Sequence, residues 1–432
     1  MGSVDRIFFS KSEIQKSYRL FCEKQTTRPY VPRRQEESGP SLSEFIRDHK
    51  KYIRILLDGV KSGEFELTPT PPSVLVIDRA RTHYRFPWPE RFLAAHFARA
   101  IFLTAQPTFS PRLYSFQHGK SSVETVVHAH KYLFDRETSS KSPIYVLRRD
   151  VKNYGESLIH DWVMKDFVSI CEPSEALRSL LQKFCRFPIL ENDKTKINQV
   201  GMPMGSYLQI VFENIYLSEL DHALSAIPGG WFARYGDDIL FLTTEAEAKD
   251  EAIGKMNAIV QARGLRFSVE KSSDFILNRD PAAKERTQLF RYLGMALGSR
   301  AGVQIETKKL REVRKALADR LRATARLIPK RQSAQRRVDI LISQINELIV
   351  QRMDQTVDVA LDHIREMPAE LEVEQLREMD RWLALLVLSL ATEKSFRPAL
   401  FRRMSYRELR SRGLPSLLYL KRTRGLGHAR VL

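Results

Sequence analysis

The chain has 432 residues, 43% hydrophobic and 28% charged, a balance that suits folded domains with their own cores and argues against a disordered or fibrous protein. Seventy lysines and arginines against 52 aspartates and glutamates leave a net charge of +18, which points to a polyanionic partner, nucleic acid first among them. Three cysteines, Cys22, Cys171 and Cys185, lack any Cys-x-x-Cys spacing, so neither a zinc cluster nor a disulfide framework is indicated, and a reducing, cytoplasmic setting is expected.

The start, Met-Gly-Ser-Val-Asp-Arg, has no apolar signal region. Ser41-Leu-Ser-Glu44 predicts a capping box that opens a helix running to about Val60. Thr68-Pro-Thr-Pro-Pro72 interrupts the chain. A short strand (Val74 to Ile77), a basic segment (Arg79 to Arg85) and a helix from about Glu90 to Leu103 follow. From Pro143 the order becomes regular. A strand, Ile144 to Asp150, leads into helical sequence, and a long apolar helix is expected over Ser206 to Leu224. Trp231 to Leu242 reads as two short strands, rich in aromatic and β-branched residues, joined at Gly236-Asp237-Asp238. An amphipathic helix with Ile253, Met256 and Val260 inward stops at Gly264. A strand over Leu265 to Val269 and a hairpin over Leu289 to Ile305 complete the unit, and everything after Thr307 reads as helix. Strand, helix, hairpin, helix, strand is the order of a ferredoxin-like α+β sheet.

The C-terminal part is patterned in charge. Lys308, Lys309, Arg311, Arg314, Lys315, Arg320, Arg322, Arg326, Lys330, Arg331, Arg336 and Arg337 form one basic cluster, and Arg397, Arg402, Arg403, Arg407, Arg410, Arg412, Lys421, Arg422 and Arg424 form another. An acidic stretch between them (Asp354, Asp358, Asp362, Glu366, Glu370, Glu372, Glu374, Glu378, Asp380) predicts a nucleic-acid path with a defined edge. Tyr406 and Tyr419, interleaved with arginine, are candidates for stacking on unpaired bases. The longest apolar run, Trp382 to Ala391, is too short to span a bilayer, so no membrane partner is expected.

The chemistry concentrates in three carboxylates. Asp150 ends a strand, and Asp237 and Asp238 lie at a hairpin turn. Two unit charges ~4 Å apart repel by about 1 kcal/mol in water, and more at lower dielectric. Such crowding is usually relieved by divalent cations, and three acidic ligands near one spot suit a pair of Mg²⁺ ions held partly through nucleotide phosphates. A P-loop reading of His118-Gly-Lys-Ser121 fails, because Tyr114 stands where the earlier glycine is required.

Arg149-Asp-Val-Lys-Asn-Tyr-Gly-Glu-Ser-Leu158 resembles the first catalytic motif of reverse transcriptases. Gly201-Met-Pro-Met-Gly-Ser206, running into Phe212 to Asp221, is similar to their glycine-rich template and nucleotide motif. Tyr235-Gly-Asp-Asp238 matches their Tyr-x-Asp-Asp motif, Gly264 to Lys271 looks like the next palm motif, and Tyr292-Leu293-Gly294 looks like the primer-grip hairpin. Tyr114 to Ser122 and the basic segment from Arg79 to Arg85 resemble finger motifs. The matches keep the family's order over roughly residues 45 to 320. The helical C-terminus, with no maturase, endonuclease or integrase-like region, looks most like bacterial defence-associated, unknown-group and abortive-infection reverse transcriptases.

The resemblance implies a right-hand polymerase. An N-terminal extension would cover 1–44, fingers 45–142, a ferredoxin-like palm 143–306 with a finger insertion over about 165–200, and an all-α thumb with C-terminal extension 307–432. Asp150, Asp237 and Asp238 would serve two Mg²⁺ ions (Mn²⁺ substituting), with the Val151 carbonyl a further ligand. Arg85, with Arg79 or Arg81, would hold the incoming triphosphate through guanidinium forks. Lys271 would stand near the leaving pyrophosphate. Gly201, Gly205 and Ser206 would let backbone approach the base pair. Leu293 and Gly294 would form the primer grip. Lys308, Lys309, Arg311, Arg314, Lys315, Arg322, Arg402, Arg403 and Arg407 would contact nucleic acid.

Two positions depart from the family. Met204 replaces the usual glutamine at the nucleotide. Gly155 replaces the bulky aromatic that blocks a ribose 2′-hydroxyl, so either sugar discrimination is weakened or Tyr154 supplies the gate. The implied activity is RNA-templated DNA synthesis from dNTPs, yielding a nucleic-acid duplex, with a structured non-coding RNA as template, a role against phage, and a homo-oligomer left open. The competing readings are an RNA-dependent RNA polymerase, disfavoured because Gly155 is not the second aspartate of that class, a template-independent or protein-primed polymerase, and an inactive RNA-binding scaffold.

Overall fold

In a computed structural model of the protein, the residues described are 2–26, 39–76, 80–117, 119–139, 143–277, 289–298, 302–351 and 373–418, with 353, 354, 356, 357, 360, 361 and 364 between the last two. Arg79, His118, Asp358, Asp362, Glu366, Glu370, Glu372, Tyr419, Lys421, Arg422 and Arg424 lie outside them, as does the side chain of Arg81. Residues 1–121 and 144–276 form one compact unit, and residues 122–143 and 277–430 form a second.

The first unit is built on the helix Trp88–Ala105. It is apolar nearly all round, and Phe92, Leu93, Phe97 and Ile101 are among its buried residues. A helix without a polar face must be enclosed. Helices Ser3–Phe8, Lys11–Thr26, His49–Ser62, His160–Cys171 and Tyr207–Tyr216 pack against it. His96, in the middle of this helix, hydrogen-bonds the Phe8 carbonyl through Nε2 and the Ser17 hydroxyl through Nδ1, both at 2.8 Å. Burial pushes its pKa down to about 4, so the ring stays neutral and fastens the N-terminal helices. The Ser41–Glu44 capping box forms as the sequence implies, with Glu44 accepting from the Ser41 N–H at 2.8 Å. The helix it opens breaks at Asp48, giving Leu42–Arg47 and His49–Ser62.

A four-stranded sheet runs in the order Gly230–Tyr235, Asp238–Thr243, Ile144–Asp150, Ser273–Leu277. Numbered along the chain this is 2-3-1-4, the ferredoxin-like order expected. Helices Ser218–Ser225 and Ala246–Ala262 pack on the sheet and on each other. Ile239 to Thr243 are all buried, so the strand carrying Asp238 is covered on both faces.

Three expectations are corrected. The fourth strand is Ser273–Leu277 and not 265–269; the earlier stretch makes only an isolated bridge, Val151 with Phe267, and Val269 is 90% exposed. The apolar helix expected over 206–224 is two helices, Tyr207–Tyr216 and Ser218–Ser225, because Leu217 leaves helical geometry at φ −109°, ψ 18°. The basic segment after residue 79 is itself a strand, Ala80–Tyr84, paired antiparallel with Pro72–Val76. A further hairpin, Pro188–Glu191 with Lys194–Ile197, lies in the region expected as a finger insertion.

The second unit groups the helix Ser122–Ser139 with a small sheet (Phe290–Tyr292, Met295–Leu297, Gln304–Ile305) and helices Thr307–Leu327, Ala334–Ile349 and Val373–Thr392. Leu317, Leu321, Leu341, Ile345, Leu383 and Val387 are fully or almost fully buried among these three helices. Asp380 does not belong to a solvated acidic face. It is buried and accepts from the Ser416 hydroxyl at 2.5 Å and the Leu417 N–H at 2.8 Å, tying the C-terminal segment down.

Phe212 stands fully buried in the first unit, edge-on to Phe167, with ring centroids 6.2 Å apart. Phe212→Ala should destabilise the unit by about 3–5 kcal/mol through the cavity it leaves, measured as the shift in the denaturant midpoint.

Candidate active site

Strand Gly230–Tyr235 turns into Asp238–Thr243 through two residues, Gly236 and Asp237, and Tyr235 faces Asp238. Gly236 takes the left-handed region at φ 63°, and a glycine at the first central position is what a type II′ hairpin turn requires. The neighbouring strand sets Asp150 directly opposite Asp238. Cross-strand partners have Cα atoms about 4.5–5.5 Å apart, so two of the expected carboxylates start from adjacent backbone positions. The third is coupled to them through the backbone: the Val151 N–H donates to the Asp237 carbonyl at 3.0 Å.

Asp150 is 5% exposed. Its carbonyl accepts from the Ser268 N–H at 2.8 Å, and its carboxylate accepts from Lys271 Nζ at 2.6 Å. Segment 266–272, which does not form the expected strand, thus delivers Lys271 to the carboxylates. The Asp238 carboxyl is pushed up to about 7, first by burial and then by the charges of Asp237 and Asp150, with Arg148 and Lys271 opposing. Among the described residues, no group of three or more His, Cys, Asp or Glu side chains makes a metal cage of its own. The donor set nevertheless fits hard divalent cations that take their remaining ligands from substrate phosphates and water, since Asp150 and Asp238 set two carboxylates at facing strand positions beside the turn that bears Asp237.

The glycine-rich loop belongs to the same unit. Gly201 has φ 77°, and a Cβ there would come within 2.6 Å of the Glu156 carbonyl oxygen, so close backbone passage demands glycine. Gly205 is exposed, donates its N–H to Gln209 Oε1 at 3.2 Å, and leaves 2.9 Å between a built Cβ and His83 Nδ1. Ser206 caps the helix Tyr207–Tyr216, accepting from the Leu208 N–H. Met204 is half-buried and Arg85 is exposed.

Tyr154 does not face this site. It is 4% exposed, and its hydroxyl donates to the Glu213 carbonyl at 2.6 Å, so burial and a satisfied hydroxyl hold it inside. Gly155 is occluded from another direction. A Cβ there would lie 1.9 Å from Gln209 Nε2 and 2.6 Å from Glu213 Oε1. The space that a side chain at 155 would enter is filled from the helix Tyr207–Tyr216, where Gln209 Nε2 donates to Glu213 Oε1 at 2.8 Å.

The remaining candidates lie in the second unit. Leu293 and Gly294 are the turn of the hairpin Phe290–Tyr292/Met295–Leu297, at φ 48° and 76°. Left-handed geometry at both central positions defines a type I′ turn, and a leucine there is strained. Lys309 Nζ lies over Gly294, 2.1 Å from a built Cβ. On the helix Thr307–Leu327, Lys308, Arg311, Lys315 and Arg322 are exposed and their spacing places them along one stripe. Arg314 departs from that stripe: it is half-buried, with Nε 3.1 Å from Met379 Sδ and its guanidinium over the Trp382 ring. Arg402, Arg403 and Arg407 are exposed.

The sequence reading missed Arg234, Asp221, Gln209 and Glu213. Arg234 is signalled only by its position, a cation inside an otherwise apolar strand, which requires an acidic partner.

Residues 91–297 match the family described as reverse transcriptase (RNA-dependent DNA polymerase). Over this stretch, just under half of the chain, the sequence is similar to RNA-directed DNA polymerases, which are nucleotidyltransferases. No curated protein matches the sequence. Among solved structures, apo telomerase from Candida tropicalis truncated from its C-terminal domain aligns at 10% identity and TM-score 0.41, over 58% of this chain and 59% of that one. Telomerase from Candida albicans in complex with a TWJ fragment of telomeric RNA aligns at 10% identity and TM-score 0.42, over 83% and 65%. The chain thus spans less than two thirds of either telomerase chain.

The raised Asp238 pKa has a signed consequence. Between the ordinary value of 3.8 and about 7, the folded metal-free protein binds more protons than the unfolded chain, so its stability falls as pH rises through that window. Asp238→Asn should therefore raise the melting temperature of metal-free protein by about 2–5 °C at pH 7.5 and leave it nearly unchanged near pH 4. Thermal unfolding followed by circular dichroism checks both values.

Proposed function

We propose that the protein is an RNA-directed DNA polymerase that extends a primer 3′-hydroxyl, or a protein hydroxyl, by attack on the α-phosphorus of a dNTP. Asp150, Asp237 and Asp238 would hold two Mg²⁺ ions, with the Val151 carbonyl assisting and Mn²⁺ able to substitute. When bound, these ions lower the pKa of the attacking hydroxyl and offset the charge developing on the transferred phosphorus. The observation that carries the reading is the Asp150–Asp238 register beside a turn bearing Asp237, inside a stretch that matches the reverse transcriptase family.

The chain's own residues would do the rest. Lys271, held at Asp150, offers a cation near the leaving pyrophosphate. Arg85, with Arg79, would clamp the triphosphate. Met204 and Gly205 would border the nucleotide. Leu293 and Gly294 would grip the primer from their left-handed turn. Lys308, Lys309, Arg311, Lys315 and Arg322 would track duplex phosphates, with Arg402, Arg403 and Arg407 contacting a structured RNA; Arg314 supports its own helix packing first. The template would be a partner non-coding RNA, the setting cytoplasmic and the role anti-phage defence. That part rests on the resemblance of the helical C-terminus and catalytic motifs to defence-associated enzymes.

The test is Mg²⁺-dependent dNTP incorporation on RNA that co-purifies with the protein from its host, with that RNA sequenced. Wild type should incorporate, and the Asp237→Ala, Asp238→Ala double variant should fall to background. Equal signal from both would leave only an RNA-binding scaffold.

Sugar choice gives a second measurement. With no aromatic at 155, discrimination against rNTPs should be weaker than an aromatic would enforce. Gly155→Phe alone would collide with both Gln209 and Glu213, whereas Gly155→Phe with Gln209→Ala removes the nearer obstruction and the amide that donates to Glu213 Oε1, leaving a flexible carboxylate to shift. The double variant should raise the dNTP-to-rNTP preference about tenfold, a change of about 1.4 kcal/mol. The same strong preference in wild type and double variant would remove position 155 from sugar selection.

A further inference from the structure

Behind the Gly236–Asp237 turn lies an ion pair with both side chains 0% exposed, Arg234 with Asp221. Arg234 Nε and Nη2 donate to the two Asp221 carboxylate oxygens at 2.7 and 2.6 Å. Nη2 also donates to the Asn214 carbonyl at 2.9 Å, and Nη1 donates to the carbonyls of Glu213 and Gly236 at 3.0 and 3.2 Å. A guanidinium has five N–H donors, and all five are used.

The acceptors come from three places. Glu213 and Asn214 lie in the last turn of the helix Tyr207–Tyr216, where carbonyls lose their intrahelical partners, and a cation there also complements the helix dipole. Asp221 belongs to the following helix, Ser218–Ser225. Gly236 is the turn itself, one bond from Asp237. The Arg234 backbone is fixed as well: its N–H donates to the Arg112 carbonyl at 3.1 Å, and its carbonyl accepts from the Tyr114 N–H at 2.9 Å.

Fold stability alone does not call for such a pair. Dehydrating two charges is costly, and well-packed apolar residues of similar size commonly serve a core as well or better. What apolar residues cannot do is hold the Gly236 carbonyl. We propose that Arg234, locked by Asp221, is a positioning residue that anchors the Gly236–Asp237 turn to two helix ends and so keeps the Asp237 and Asp238 carboxylates from recoiling away from Asp150. Asp221 neutralises Arg234 at contact, so the pair acts as a tether and adds little net charge to the site. A lysine has no fork that reaches five acceptors. The catalytic part of this inference rests on the polymerase reading; the tether does not.

Two variants test it. Arg234→Met with Asp221→Leu removes both charges together and keeps apolar volume in the core. Arg234→Lys keeps the charge opposite Asp221 and loses the donor to Gly236. The direct readout is amide hydrogen exchange at Val151, whose N–H is bonded to the Asp237 carbonyl. Both variants should exchange at least tenfold faster there, while the Ser268 amide, bonded to the Asp150 carbonyl, keeps its wild-type rate. In steady state, the Mg²⁺ concentration for half-maximal dNTP incorporation should rise at least tenfold, with the dNTP KM changed less. Wild-type exchange at Val151 in folded protein of either variant overturns the tether. If the double variant does not fold, Arg234→Lys decides alone. A wild-type protein that incorporates nothing sinks the polymerase reading instead and leaves the exchange measurement standing.

Discussion

Two carboxylates occupy opposite positions on adjacent antiparallel strands, and the rest of the first unit makes that placement hold. Because side chains alternate along a strand, a slip of one residue would carry Asp238 to the other face and take Leu240 and Leu242 with it. The apolar flanks of the hairpin, buried almost completely, forbid the slip. Burial of the neighbouring core is therefore what enforces repulsion at the strand ends. The protein answers that repulsion locally, with Lys271 against Asp150 and with the backbone bond from Val151 to Asp237.

Much of this arrangement is legible in the sequence, for reasons that can be named. The hairpin announces itself because aromatic and β-branched residues on both sides of a glycine leave little alternative, and the order of strands and helices implies the sheet order. The misplaced fourth strand has an equally physical cause. Leu265 to Val269 alternates like a strand, yet Val269 stands in solvent, whereas Ser273–Leu277 pairs with the sheet despite its mixed polarity. Leu217 carries no breaker signal, so the division of the apolar helix there is a tertiary effect. Tyr154 shows the limit most plainly. An aromatic one position from the expected gate looked available, but a hydroxyl partner on a helix 59 residues away had already claimed it.

The basic composition also divides in two. Part of the surplus lies on exposed stripes such as Lys308, Arg311 and Lys315. Another part is consumed inside. Arg234 is saturated by five acceptors, and Arg263 is paired with Asp166 at 2.7 Å and set against the rings of Trp162 and Tyr216. Arg337 is paired with Glu393 at 2.7 Å. Counting charge along the chain cannot separate these classes. An arginine at the strand interior or in the last turn before a helix stop is better suited to several carbonyls at once than to a phosphate.

The contact of Gln209 over Gly155 sets an order on sequence change. A larger residue at 155 meets an occupied slot, so it would be eliminated wherever glutamine persists at 209. Shortening 209 first removes the nearer of the two side chains that fill the slot. Lineages that carry a bulky side chain at the first position should therefore have passed through a small one at the second, and the two sites should vary as a correlated pair.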